Sequence, residues 1–275
     1  MHVLLLPVIW FLVRMSMIYL LHVYIEKGWV AANYRQKNIP VGYGTVVPVF
    51  LCIFYVLWIQ LDGSGGTAIV KTGGEVLLCS LISLVGWVDD RKGDRGIKGL
   101  RGHLGALQNS GQLTTGMIKA AAGLLAAAGA AFTINDGTLN IVVNTLIITL
   151  AINAINLLDV RPGRALKGFW FLLFLSVCFG SVPPASWPLV LIVSTITVAA
   201  APDDFNARAM MGDVGSNTLG FLAGIFCAAA LPFSVRICLL ALFIVLHWRA
   251  ETSSLSLVIQ NNKWLNRLDH VGRKT

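Results

Sequence analysis

Nine apolar runs, most of them near the ~20 residues that a helix needs to cross a bilayer, succeed one another along this chain with short polar segments between them. Candidate helices occupy about 3–23, 45–61, 74–88, 115–133, 139–157, 167–182, 186–202, 215–231 and 233–248. Nothing else in the sequence restricts the fold so strongly, because only a backbone that satisfies its own hydrogen bonds can span lipid. The expectation is an all-α, polytopic integral membrane bundle of about nine transmembrane helices over residues 1–250, with a tail over 251–275. Composition agrees: 12% of residues are charged, against about a quarter in soluble domains. Close spacings of Gly and Ala, as in KAAAGLLAAAGAA and LGFLAGIFCAAA, permit tight approach between helices in lipid.

Charge placement supplies an orientation. Segments after odd-numbered runs hold eighteen of the 21 basic residues, and the exceptions are Arg14, Lys71 and Arg236. The positive-inside rule then puts the N-terminus outside and both the odd loops and the C-terminus in the cytoplasm. The net charge of +8 is explained by this topology, and no nucleic-acid motif accompanies it. Cys52, Cys79, Cys178, Cys227 and Cys238 all lie in apolar runs and read as small buried hydrophobes. The first run lacks a basic leader and a small-residue cleavage site, so it reads as a retained helix.

The acids share the basic side, which topology alone does not require. Asp89, Asp90, Asp94, Asp159, Asp203, Asp204 and Asp213 fall at cytoplasmic ends or loops, while Asp62, Glu75 and Asp136 fall outside. Three clusters stand out: Asp89-Asp90 in GWVDD, Asp159 in NAINLLD, and Asp213 in MMGDVGSNTLG. Carboxylates around one point repel unless a cation lies among them, and Mg²⁺ suits oxygen ligands where phosphates are present. The Lys and Arg nearby would meet phosphate charge. The pattern points to phosphoryl transfer to or from a lipid at the inner surface. A transporter would place ionisable groups near the midplane instead.

GWVDD after a span, NAINLLD after a later one and MGDVGSNTLG before another resemble the three signature regions of the polyprenyl-phosphate N-acetylhexosamine-1-phosphate transferases. That superfamily includes the phospho-N-acetylmuramoyl-pentapeptide translocases. The resemblance covers roughly residues 30 to 225, and the segment from Asn33 to Gly42 is similar to the family's first cytoplasmic loop. It implies a multi-pass enzyme of a bacterial plasma membrane, acting at its cytoplasmic face in cell-envelope glycopolymer synthesis such as cell wall biogenesis. A polyprenyl phosphate of the undecaprenyl type attacks the β-phosphate of a nucleotide sugar, usually a UDP-sugar, and UMP leaves.

By the same resemblance Asp213 is the metal ligand, for Mg²⁺ or alternatively Mn²⁺. Asp89 and Asp90 bind metal or lipid phosphate, or deprotonate the lipid phosphate, and Asp159 joins them as a catalytic candidate. Asn153 and Asn156 lie near metal and nucleotide, on an i, i+3, i+6 spacing with Asp159, and Lys119 meets phosphate or snorkels to the surface. Lys37 is a further substrate-binding candidate. Membrane lipid is the expected surroundings, and a homodimer is compatible with the sequence.

Two departures from the family pattern stand out. Where the family continues DGxDG, this chain has Asp159-Val160-Arg161-Pro162-Gly163-Arg164, and its two arginines are candidates for additional phosphate. The histidine-rich loop and tenth span are replaced by a tail with His270 alone, whose Leu255, Leu257, Val258, Trp264, Leu265, Leu268 and Val271 suit an interfacial amphipathic segment. These departures motivate an alternative: a catalytically idle paralogue acting as a membrane scaffold. His103 and His270 read as structural or lipid-headgroup contacts, and Asp203-Asp204 as a polar loop turn in preference to a second acidic site.

Overall fold

A computed structural model describes residues 6–61, 66–93, 102, 105, 114–134 and 137–273. Asp62, Asp94, Arg95, Lys98, Arg101, His103, Asp136 and Lys274 lie outside the described residues. Eleven helices dominate the described residues: α1 (Leu6–Glu26), α2 (Val46–Leu61), α3 (Gly66–Lys92), α4 (Thr115–Ile134), α5 (Thr138–Leu158), α6 (Arg164–Cys178), α7 (Trp187–Phe205), α8 (Gly212–Ala230), α9 (Phe233–Thr252), α10 (Leu255–Asn261) and α11 (Lys263–His270). Eight are long and apolar enough to cross a membrane, so the chain is a multi-pass, all-α membrane bundle. The helix at the sixth expected span, α6, has only 15 residues. At 1.5 Å per residue it is roughly 22 Å long, short of a ~30 Å hydrocarbon layer.

α8 is the axle of the bundle. Of its length 89% is buried, against 17% for α1 and for α9. α5, α3 and α6 surround it. Its face toward α5 is built from Gly220 and Gly224, where a Cβ would come within 2.5 Å of Ile152 Cα and 2.7 Å of Ile148 Cα respectively. The small-residue spacing read from the sequence therefore does what was expected of it, bringing two backbones into contact. Around this axle, α3–α4–α5 form one wall and α1–α2–α7 another, with α9 against α5.

The loop after α1 is ordered by a hairpin of β1 (Val30–Ala32) and β2 (Asn38–Pro40), paired antiparallel with Ala31 opposite Ile39. Asn33 shapes its turn by accepting the Arg35 and Lys37 N–H groups at 2.8 and 3.1 Å. Val41 then bridges to Met210, and the 3-10 turn Tyr43–Thr45 sits on the start of α8. Arg14, the one basic residue of the first span, reaches Asp203 in the last turn of α7. Tyr43 Oη donates to the same carboxylate at 2.6 Å.

Asp203 and Asp204 are thus not a polar loop turn. Both are helical and buried, because Pro202 sits inside α7 without ending it. α3 begins at Gly66, ahead of the expected 74, so Glu75 lies inside the helix, where its side chain is buried.

Candidate active site

One end of the bundle, where α3, α5 and α7 finish and α4, α6 and α8 begin, gathers the polar side chains. α3 delivers Asp89 and Asp90 close to its C-terminus. Neighbouring helical residues point about 100° apart, so the two carboxylates meet different partners. Asp89 accepts from Lys119 Nζ at 3.1 Å, and the same ammonium donates to Asp213. Asp90 turns to the start of α8 and accepts the backbone N–H groups of Asp213 at 2.9 Å and Val214 at 3.1 Å. Asp159, just past the end of α5, accepts Gly212 N–H at 2.8 Å. First-turn amides have no partner within their own helix, and a carboxylate there is favoured by the helix dipole. Asp90 and Asp159 together therefore fix the turn that carries Asp213.

Asn156 completes the cluster from α5. Its amide nitrogen faces Asp213 at 2.9 Å and its oxygen faces Lys119 Nζ at 3.2 Å, with Ser216 Oγ 3.2 Å away. Among the described residues, no three Asp, Glu, His or Cys side chains enclose a space that could hold a metal ion by themselves. Two carboxylates, one ammonium and one amide converge instead. Burial pushes the Asp159 carboxyl well above the usual carboxylate range, and the Asp204, Asp90 and Asp213 carboxylates push it the same way; the Gly212 N–H opposes them.

The remaining candidates lie elsewhere. Asn153 is exposed, and no hydrogen bond joins it to the cluster among the described residues. The reason is geometric: positions i and i+6 of an α-helix are roughly 120° apart, so Asn153 and Asp159 do not share a face. Lys37 is exposed on the hairpin turn. Arg161 stacks over the Tyr34 ring at 4.7 Å. Both line a small cavity with Asn33, Asp159, Asp204 and Met210. Arg164 is buried, and its Nε and Nη2 donate to Asp269 of α11 at 2.7 and 2.8 Å, so its guanidinium is taken up by the tail instead of lying open to the additional phosphate expected of it.

Ser216 and Tyr34 were not singled out from the sequence. Ser216 lies three residues after Asp213, which on a helix is the same face, and that spacing was the available signal. Tyr34 had none, because its partner Arg161 is distant in the chain.

A bundle of membrane-crossing helices with acids, a lysine and an amide gathered at one end defines a polytopic membrane protein with a polar site at its rim. The model of glycosyl transferase family 4 matches residues 74–231, more than half of the chain and all of the cluster. The chain belongs to this family, that of the polyprenyl-phosphate hexosamine-1-phosphate transferases. Membership makes it a transferase of the polyprenyl-phosphate sugar-phosphate class in general. No curated protein matches the chain.

Proposed function

We propose that this chain transfers an N-acetylhexosamine-1-phosphate from its UDP-linked donor to undecaprenyl phosphate, with Mg²⁺, at the cytoplasmic face of a bacterial plasma membrane. The observation that carries this reading is the convergence of Asp89 and Asp213 on the single ammonium of Lys119, with Asn156 beside them. Two carboxylates that share one cation suit Mg²⁺, which takes one or two protein carboxylates and completes its shell with water and phosphate oxygens. Asp213 and Asp89 would hold it, and it would offset the charge of the donor diphosphate.

The chain's own residues do the rest. A lipid phosphate oxygen forms a bond to the β-phosphorus, the bond from that phosphorus to the bridging oxygen breaks, and UMP leaves with the electron pair. The lipid phosphate is already largely ionised near neutral pH, so positioning and charge neutralisation carry the rate. Lys119 meets phosphate charge once the donor arrives. Asn156 orients Asp213. Asp90 and Asp159 act on backbone amides, so their part is to hold Asp213 in place. The donor diphosphate and sugar lie toward Arg161 and Tyr34, and the tail over 251–273 rests on the membrane surface through exposed Trp264, Leu265, Leu268 and Val271.

The experiment incubates purified protein with a panel of nucleotide sugars, Mg²⁺ and undecaprenyl phosphate, and records UMP release and lipid-linked product. Asp213→Asn is expected to lose the most activity and Asp89→Asn nearly as much. Asp90→Asn should lower activity and thermal stability together, because it unpins α8. An Asp213→Asn variant with wild-type turnover refutes the assignment. No UMP release from any donor supports the idle-scaffold alternative.

A further inference from the structure

The two departures of this chain from its family's sequence pattern touch each other. Arg164, gained in the loop after α5, and Asp269, in the tail, form a buried ion pair across 105 positions of sequence. Arg164 Nη1 also donates to Ser256 Oγ of α10 at 2.8 Å. Asp269 takes a second guanidinium, that of Arg273. Arg273 Nε donates to Pro162 O at 2.7 Å. Lys167 Nζ donates to the carbonyl oxygens of Leu268 and Asp269 at 2.9 and 2.8 Å.

Between these anchors, Gly163 N–H donates to Asp204 at 2.9 Å. Three consecutive residues, 162 to 164, are thus fixed by groups distant in the chain, two of them through the tail. The next residues upstream are held differently: Val160 is exposed, and Arg161 accepts the Arg164 N–H at 3.3 Å through its carbonyl while its side chain stacks on Tyr34 at the cavity. That cavity has room for about 10 Å³, roughly one water molecule, so a larger group enters it only if a lining side chain such as Arg161 moves, while the loop's other end is anchored.

We propose that the C-terminal tail is a positioning element of the donor site: Asp269 and Arg273 fix the Pro162–Arg164 side of the loop, leaving Arg161 as the specificity-determining side chain that engages the donor diphosphate. This rests on the transferase reading given above. A planar guanidinium suits bidentate contact with phosphate oxygens, and a fixed loop spares the ordering cost of binding. A tail that merely stabilised the bundle would affect lipid and donor alike. A tail that positions the loop affects the donor alone.

The test uses the full chain in lipid nanodiscs. Equilibrium binding of UDP-N-acetylglucosamine and of UDP-N-acetylgalactosamine, KM for undecaprenyl phosphate, and hydrogen–deuterium exchange of the 160–164 amides are measured for wild type, Asp269→Asn, Asp269→Glu, Arg273→Gln and Lys263→Gln. Loosening one anchor of the loop is expected to cost roughly tenfold in donor affinity, about 1.4 kcal/mol. Asp269→Asn and Arg273→Gln are therefore expected to weaken donor binding at least about tenfold and to speed exchange at Gly163, with KM for the lipid within about twofold. Asp269→Glu should recover most of the affinity. Lys263→Gln, at the exposed start of the same helix, should match wild type.

If Asp269→Asn does not fold, Arg273→Gln, which keeps the Arg164–Asp269 pair, decides. Wild-type donor affinity in a folded Asp269→Asn or Arg273→Gln variant overturns the proposal, as does a parallel loss of donor and lipid kinetics. Wild-type protein that binds neither donor overturns the transferase reading itself, and this proposal with it.

Discussion

Replacing Gly86 by alanine tests whether the spacing between α3 and α8 sets the rate. A Cβ there would lie 2.6 Å from the Asp213 carbonyl oxygen, 2.7 Å from its carbonyl carbon and 2.8 Å from Val214 N. All three are backbone atoms, so no side chain can swing aside. Since Cβ contacts below 3.0 Å are essentially never seen and those from 3.4 Å are ordinary, the helices must part by about 0.4 to 0.8 Å. The Asp90 bonds to Asp213 N–H and Val214 N–H, now 2.9 and 3.1 Å, would then stretch to about 3.3–3.9 Å, beyond the ~3.2 Å limit of a good bond. Overpacking costs about 1–3 kcal/mol, and hydrogen bonds to a charged acceptor contribute about 1.5–3 kcal/mol each. We expect a stability loss of about 2–4 kcal/mol. A misplacement of about 1 Å costs up to a hundredfold in rate, so turnover should fall on the order of tenfold or more. The assay is lipid-linked product formation at saturating substrates, with thermal unfolding in the same detergent. Gly74→Ala is the control: the same helix, with nothing within 4 Å of the new Cβ. Gly86→Ala within twofold of wild type in turnover would refute the reasoning.

Two further predictions concern ion pairs. Arg14→Leu leaves the buried Asp203 carboxylate without the guanidinium of α1, and breaking such a pair costs about 3–5 kcal/mol. The thermal unfolding midpoint should drop clearly, and Arg14→Leu/Asp203→Asn should regain most of it because Tyr43 Oη can still donate; an unchanged midpoint in the single variant contradicts the ion pair. Burial alone would raise the Asp269 carboxyl, but the Arg164 and Arg273 guanidiniums outweigh it and hold the group below its ordinary 3.8. A depressed carboxylate stabilises the folded state above its unfolded pKa and loses that contribution as pH falls through the folded one. Tail amides should therefore stay protected from exchange down to about pH 4 and lose protection below it, whereas loss on raising the pH would contradict the sign.

Local signals made much of the site legible. Asp89, Lys119, Asn156 and Asp213 each sit at a helix end on the same side of the charge pattern, and helix ends are what hydropathy locates best. Partners distant in the chain were not legible. Arg164 reads as a phosphate ligand because it stands where the family continues DGxDG, while its actual partner Asp269 is 105 positions away in a segment without a family template. Asp203 and Asp204 were misplaced because a proline normally marks a helix boundary, and here Pro202 lies inside one. The separate duties of Asp89 and Asp90 follow from side-chain direction, which adjacent letters do not encode.

The burial of α8 has a consequence for biogenesis. It is the least apolar of the eight spans, with a mean hydropathy of 1.2 against 1.6 to 2.1 for the others. Ser216, Asn217 and Thr218 are tolerable in it because neighbouring helices enclose them, and Asp213 sits half-buried in its first turn. An aspartate costs about 2.5–3.5 kcal/mol at the centre of an isolated inserting helix and less toward its end, so such a segment partitions poorly by itself. Its entry into the bilayer depends on α3 and α5, made earlier in synthesis, standing ready to receive it. The helix that carries Asp213 is thus inserted as a guest of the others, and damage to its socket is expected to appear first as failed membrane integration of the nascent chain.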